Sequence, residues 1–293
     1  PVSWTAEEHL CHLFLFHAAK GLDQTIQACV KENRDHRDFL VRLLDVERVG
    51  RYESRVKRLI RAAKFPALKT IDDFDWAHPA TIPKQSILTL ARSLDFISKH
   101  EHLIFIGPGG VGKTHLAISL GLAACQRRIR TLYTTAADMI NTLVASQVDH
   151  SLVRSLKRFT APGLLIIDEL GYMPLDKHGR DLFFQVISKR ADTGSVILIT
   201  NKAFKDWGEV FQDNAVATAI AERLIEHGDV IKIEGSSYRV NPTSAVALAK
   251  LLIINKGSLK VFTTFPAPLE DSSVGGWKDP AAGVKSFGVP PGG

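Results

Sequence analysis

One octapeptide limits the folds open to this chain more than any other feature. Gly107, Pro108, Gly109, Gly110, Val111, Gly112, Lys113 and Thr114 fit the pattern GxxxxGK[ST]. They stand between an apolar run of strand length, 103–106, and an amphipathic stretch, 114–125. That strand–loop–helix context is what turns the pattern into a phosphate loop. Glycines let successive backbone N–H groups turn inward around a phosphate, where side chains would obstruct. The helix that follows adds the positive end of its dipole. Lys113 can reach the β- and γ-phosphates of a nucleotide, and the Thr114 hydroxyl is placed to ligate Mg²⁺. The expectation is a P-loop fold that binds ATP with Mg²⁺.

A second apolar run, 164–167, delivers Asp168 and Glu169. Asp168, closing a buried strand, is placed to hold Mg²⁺ through water, and Glu169 to orient and deprotonate an attacking water. A third run, 195–200, delivers Asn201. Its amide would fall between the phosphate loop and the Asp168 strand, but an Asn there also reads as a plain turn residue. Arg223 and Arg239 offer charge of the kind that stabilises a transferring phosphoryl group. Surface arginines look the same in sequence, so the residues alone leave both readings open.

Around these motifs, strand-length runs at 103–106, 131–134, 164–167, 195–200 and 230–233 alternate with helical stretches. The alternation predicts an α/β fold, a parallel sheet covered by helices on both faces. Residues 1–66 read as a small helical N-terminal domain, with Gly50 expected to weaken its basic helix locally. Residues 67–85, punctuated by Pro79 and Pro83, read as a linker, and 86–252 as the nucleotide-binding core. Residues 253–293 are rich in Pro and Gly without apolar periodicity and read as a disordered tail.

Charge is concentrated in one place. The formal net charge is +6, and residues 48–64 alone carry seven basic side chains against one acidic. Arg48, Arg51, Arg55 and Arg58 fall on one helical stripe, with Arg61 close behind. A contact surface for a polyanion such as duplex DNA has this pattern, and so does a solvated helix face. No stretch approaches the ~20 apolar residues of a membrane span, and no secretory signal is present. Because the chain opens on Pro1 rather than Met, a start further upstream stays open. Cys11, Cys29 and Cys125 form no CxxC pair and read as reduced thiols of a cytoplasmic protein.

Taken together, the phosphate loop, LLIIDELGYMPLD, LITNKAFKDWGEVF and AIAERLIEHGDVIKIEGSSYR resemble the IstB family, the AAA+ ATPase helpers of insertion-sequence transposases. The family is kin to the bacterial helicase loader. The likeness runs from about His9 to Val240 and includes RAAKFPALKTIDDFDW, while residues 241–293 depart from it. The resemblance implies an AAA+ core in which Asp168 and Glu169 are the Walker B pair and Asn201 is sensor 1. It further implies that Arg223 reaches a neighbouring subunit's ATP site and that Arg239 is sensor-2-like. By similarity, such a protein hydrolyses ATP, assembles as an ATP-bound homo-oligomer on duplex DNA and stimulates a transposase catalytic subunit. A replicative helicase loader of the same fold is the alternative. A small-molecule kinase would need lid arginines that have no candidate here, and a partition-type ATPase would carry lysine where Pro108 stands. Glu169 speaks against a binder that does not hydrolyse.

Overall fold

The computed structural model describes residues 4–77, 81–235 and 237–238. The tail expected at 253–293 and the role expected of Arg239 fall outside them. Thr5 starts helix α1, Ala6–His12, with a capping box: its hydroxyl accepts from the Glu8 N–H while the Glu8 carboxylate accepts from the Thr5 N–H. Phe14, at φ 60°, turns the chain into α2, Phe16–Lys31. Asp35 then caps α3, His36–Ala63.

The start of α2 has no side-chain cap of its own, and α3 supplies one. Glu47 is buried, and its Oε2 accepts from the backbone N–H groups of His17 and Ala18, both at 2.8 Å. Its Oε1 accepts from Arg51 at 2.5 Å. Burial pushes the Glu47 carboxyl up, but Arg51 and the two N–H groups outweigh it and hold the group below its ordinary value. Gly50 does not interrupt α3, which starts well before it and runs through it unbroken. A Cβ there would lie 2.3 Å from Cγ of His17, so the missing side chain is what lets α2 approach.

The stretch leading into the core lies along α6, Lys113–Gln126. Ser119 Oγ donates to the Lys69 carbonyl at 3.0 Å, the His115 ring pairs with the Thr70 carbonyl at 2.8 Å, and Ile71 and Phe74 are buried. Helices α4, Lys84–Ser93, and α5, Asp95–Ser98, then precede β1, His102–Ile106. After α6 come β2, Thr131–Thr135; α7, Ala136–Val148; α8, Leu152–Thr160; and β3, Leu164–Leu170. Next are α9, Lys177–Arg190; β4, Ser195–Thr200; α10, Trp207–Phe211; α11, Asn214–Glu226; and β5, Gly228–Lys232.

The five strands form one parallel sheet in the order β2-β3-β4-β1-β5. Period-2 alternation divides the core between its faces. Leu165, Ile167, Val196 and Leu198 pack with α7 to α11, whereas Leu164, Ile166, Ile197 and Ile199 pack with α4 to α6. This is the doubly covered parallel sheet the sequence predicts. β5 begins at Gly228, ahead of its apolar run, because pairing with all of β1 sets its length. At the N-terminal end of the sheet, fully buried Arg190 donates to the carbonyls of Phe159, Thr160, Pro162, Gly163 and Ser195. Burial lowers its pKa to about 10, and the five acceptors tie α8 and the starts of β3 and β4 to one cation. Among the described residues no helix is long and apolar enough to cross a membrane.

Candidate active site

The carboxyl ends of β3, β4 and β1 lie side by side, the edge at which parallel α/β sheets bind ligands. From β1 the chain enters the glycine-rich loop and leaves it directly into α6, whose first residue is Lys113. Gly112 sits at φ 95°, a conformation that favours glycine, and a Cβ there would lie 2.6 Å from the Phe74 ring. The loop is thus wedged between its own helix and the stretch leading into the core. Lys113 is buried and folds over the loop, its ammonium donating to the Gly107 and Pro108 carbonyls at 2.7 and 2.6 Å. Tyr238 N–H donates to the Gly110 carbonyl at 3.0 Å, so the segment beyond β5 returns across the loop.

Three donors converge on Asp168, a buried carboxylate. The Thr114 hydroxyl and the Tyr133 phenol each donate to its Oδ2 at 2.8 Å, and the Glu169 N–H donates to its Oδ1 at 2.7 Å. Burial, together with the Asp168 charge beside it, pushes the Tyr133 phenol above its ordinary pKa and keeps it a donor. Glu169 is exposed, and its backbone lies at φ 64°. The β3–β4 register shifts between Ile167 and Leu170, so β3 continues two residues past Asp168 with Glu169 at the irregularity. A non-glycine residue in this region costs roughly 1–2 kcal/mol, a strain of the kind held at functional sites.

Asn201 follows β4, the strand lying between β3 and β1, and is exposed. Its neighbour Thr200 joins the strand ends: the hydroxyl donates to the Leu170 carbonyl at 2.8 Å, and the carbonyl accepts from Gly107 N–H at 3.3 Å. Arg223 lies near the end of α11 and has no hydrogen bond or ion pair to this cluster among the described residues. Its guanidinium is 4.7 Å from the centroid of the Phe184 ring and donates to the Ala219 carbonyl at 3.3 Å. The basic stripe on α3 is unevenly committed. Arg48 pairs with Asp45 at 3.0 Å, and Arg51 is held by Glu47 and by the Phe14 carbonyl. Arg55, Arg58 and Arg61 are exposed without an ion pair among the described residues.

Sequence reasoning missed Tyr133 and Phe74. No motif marks Tyr133. It meets Asp168 only because β2 pairs with β3 in a register that sets Thr135 opposite Asp168. Phe74 carried a signal, an aromatic beside Trp76 in a polar stretch, but nothing in sequence spacing brings it to Gly112.

Comparison with known proteins fits this arrangement. The profile of the IstB-like ATP binding protein family matches residues 8–246. The insertion sequence IS232 ATP-binding protein of Bacillus thuringiensis subsp. berliner is 38% identical over 79% of this chain and 92% of its own. The insertion sequence IS21 ATP-binding protein of Pseudomonas aeruginosa is 35% identical over 79% of this chain and 87% of its own. Among solved structures, the DnaC helicase loader aligns with 60% of this chain and 99% of its own at 22% identity, with a TM-score of 0.47. A match that takes in the helical region, the phosphate loop and the Asp168 strand together places the chain in the IstB-like ATP binding protein family.

Proposed function

We propose that this chain is a Mg²⁺-dependent ATPase that binds duplex DNA and, as an ATP-bound oligomer, assists a transposase. The observation carrying the catalytic half is the 2.8 Å contact between Thr114 and Asp168 at the foot of the phosphate loop, with Glu169 next in the chain. A hydroxyl and a carboxylate are hard oxygen donors, and two protein ligands beside a phosphate loop suit Mg²⁺, which keeps several waters and takes phosphate oxygens. When bound, Mg²⁺ supplies charge neutralisation on the phosphate oxygens. Thr114 and Asp168 would hold it there.

The remaining steps belong to the chain's own groups. Lys113 turns from the Gly107 and Pro108 carbonyls to the β- and γ-phosphates. Glu169 and Asn201 orient a water, and Glu169 takes its proton as the water oxygen bonds to the γ-phosphorus and the bond to the leaving ADP oxygen breaks. Arg223 contributes charge to the site of a neighbouring copy, and the α3 stripe contacts DNA phosphates. The insertion-sequence relatives support the transposition half of the reading. ATP hydrolysis by the full chain, with and without duplex DNA, tests it. A duplex-stimulated rate is expected in the native chain, with loss of nucleotide binding in Lys113→Ala. A rate indifferent to DNA would remove the DNA-coupled reading, and unchanged ATP affinity in Lys113→Ala would remove the site.

A further inference from the structure

We propose that the nucleic-acid surface spans the seam between α3 and the far end of α6, with Arg128 as its contact on the core side. The inference rests on the DNA-binding reading above and extends it to a residue outside the α3 stripe. Tyr52 marks the seam. Its hydroxyl donates to the Gln126 carbonyl at 2.6 Å, fastening α3 to the last residue of α6. The Arg128 guanidinium lies 5.8 Å from the centroid of the same ring. On α3, Arg48 is one turn before Tyr52 and Arg55 three residues after it, spacings that make helix residues surface neighbours. Arg55 and Arg128 are both exposed and without an ion pair among the described residues, Arg128 over the Tyr52 ring and Arg55 on the adjoining turn of α3.

The backbone at Arg128 argues against a purely structural role. Arg128 sits just past the α6 C-cap at φ 63°, its N–H donating to the Cys125 carbonyl, and Ile129 N–H donates to Ala124. That left-handed position is the one glycine most often fills after a helix, because a side chain there is strained. A cation near a helix C-terminus gains from the dipole, but the neighbour Arg127 already fills that place, tied to the end of α4 by donating to the Arg92 and Ser93 carbonyls. Arg128 instead lies over Tyr52 at the surface. A planar guanidinium held against a ring, with a second exposed arginine one helical turn along α3 from that ring's own residue, suits phosphates on one strand of a duplex.

Substitution by glycine separates the roles, since it removes the charge while suiting the backbone. Binding of a labelled random-sequence duplex by the full chain is measured against salt for the native protein, Arg128→Gly and Arg55→Ala. Arg128→Gly should melt no lower than the native protein. Its slope of log affinity on log salt should be shallower by about 0.9, the value of one lost phosphate contact. An unchanged slope in Arg128→Gly beside a shallower one in Arg55→Ala would confine the surface to α3 and overturn the inference. Unchanged slopes in both would overturn the DNA reading of the stripe as well.

Discussion

Glu169 carries two demands at one residue, a strained backbone and an exposed carboxylate beside the Asp168 cluster. Glu169→Gln keeps the strain and removes the proposed base. It should bind ATP normally and hydrolyse it about 10²–10⁴-fold more slowly, and a rate near that of the native chain would assign the proton to another group. Glu169→Gly removes both, and should raise stability by about 1 kcal/mol at most as the left-handed strain is relieved. A thermal melt tests this, and a lower midpoint would show that the carboxylate is also structural. At the other end of the sheet, His102 is fully buried, its Nδ1 accepting from the Val196 N–H. Burial first, then the positive charge of Arg190 and the neighbouring His227 and His100, pushes its pKa down to about 4. An unfolded histidine, near 6.5, takes up a proton that the folded ring refuses. Stability therefore falls as pH drops from about 6.5 to about 4, by about 3 kcal/mol at most. In His102→Gln that part of the acid slope should vanish from melts across this range. A slope equal to the native one would place the loss elsewhere. The proposed phosphate loop and the Asp168–Glu169 pair could be picked out in sequence because the chemistry proposed for them needs fixed residue types at fixed spacing on one strand and one loop. Tyr133 and His102 were not, since each acquires its role from a partner on another strand that only sheet order supplies.

Elements show the same division. The strands of the core could be read because both sheet faces are buried, leaving continuous apolar runs. β5 was harder to place, because on the sheet edge Asp229 and Val230 stay exposed and blur the run. Gly50 has a role that helix propensity alone does not reveal. Propensity speaks only of the helix containing a glycine, whereas here the deciding contact comes from His17 on another helix. The α2–α3 pair also depends on Glu47, which among the described residues is the side chain that caps α2 from outside. Glu47→Ala leaves one buried and one half-buried N–H group without their acceptor and takes from Arg51 one of its two, at a cost of about 1–3 kcal/mol or more. Hydrogen exchange should quicken first at His17 and Ala18. Exchange unchanged at these two amides would mean that another group caps α2. Because the folded Glu47 carboxyl has a lowered pKa, its contribution is present above the ordinary carboxylate range and is lost as pH falls through the folded value.

At the scale of the whole molecule, the position of Arg223 bears on assembly. Its guanidinium is engaged with Phe184 on the outer helical layer rather than with the phosphate loop of its own chain. If it serves a neighbouring copy, Arg223→Ala and Lys113→Ala each lack a different half of a shared site. Mixing the two inactive variants should restore part of the DNA-stimulated ATPase activity, at interfaces pairing an intact loop with an intact arginine. Normal hydrolysis by Arg223→Ala alone, or silence at every mixing ratio while the variants still co-assemble, would end the trans assignment. Within one copy, α6 has a consequence of its own. It is 14 residues long, about 21 Å, with Lys113 and Thr114 at one end and the carbonyl that Tyr52 grips at the other. A nucleotide at the first end and a duplex at the second would bear on the same rigid body and form a closed thermodynamic square. Whatever factor the duplex applies to nucleotide affinity, the nucleotide must apply to duplex affinity. A titration from either corner therefore fixes the value the opposite titration has to return.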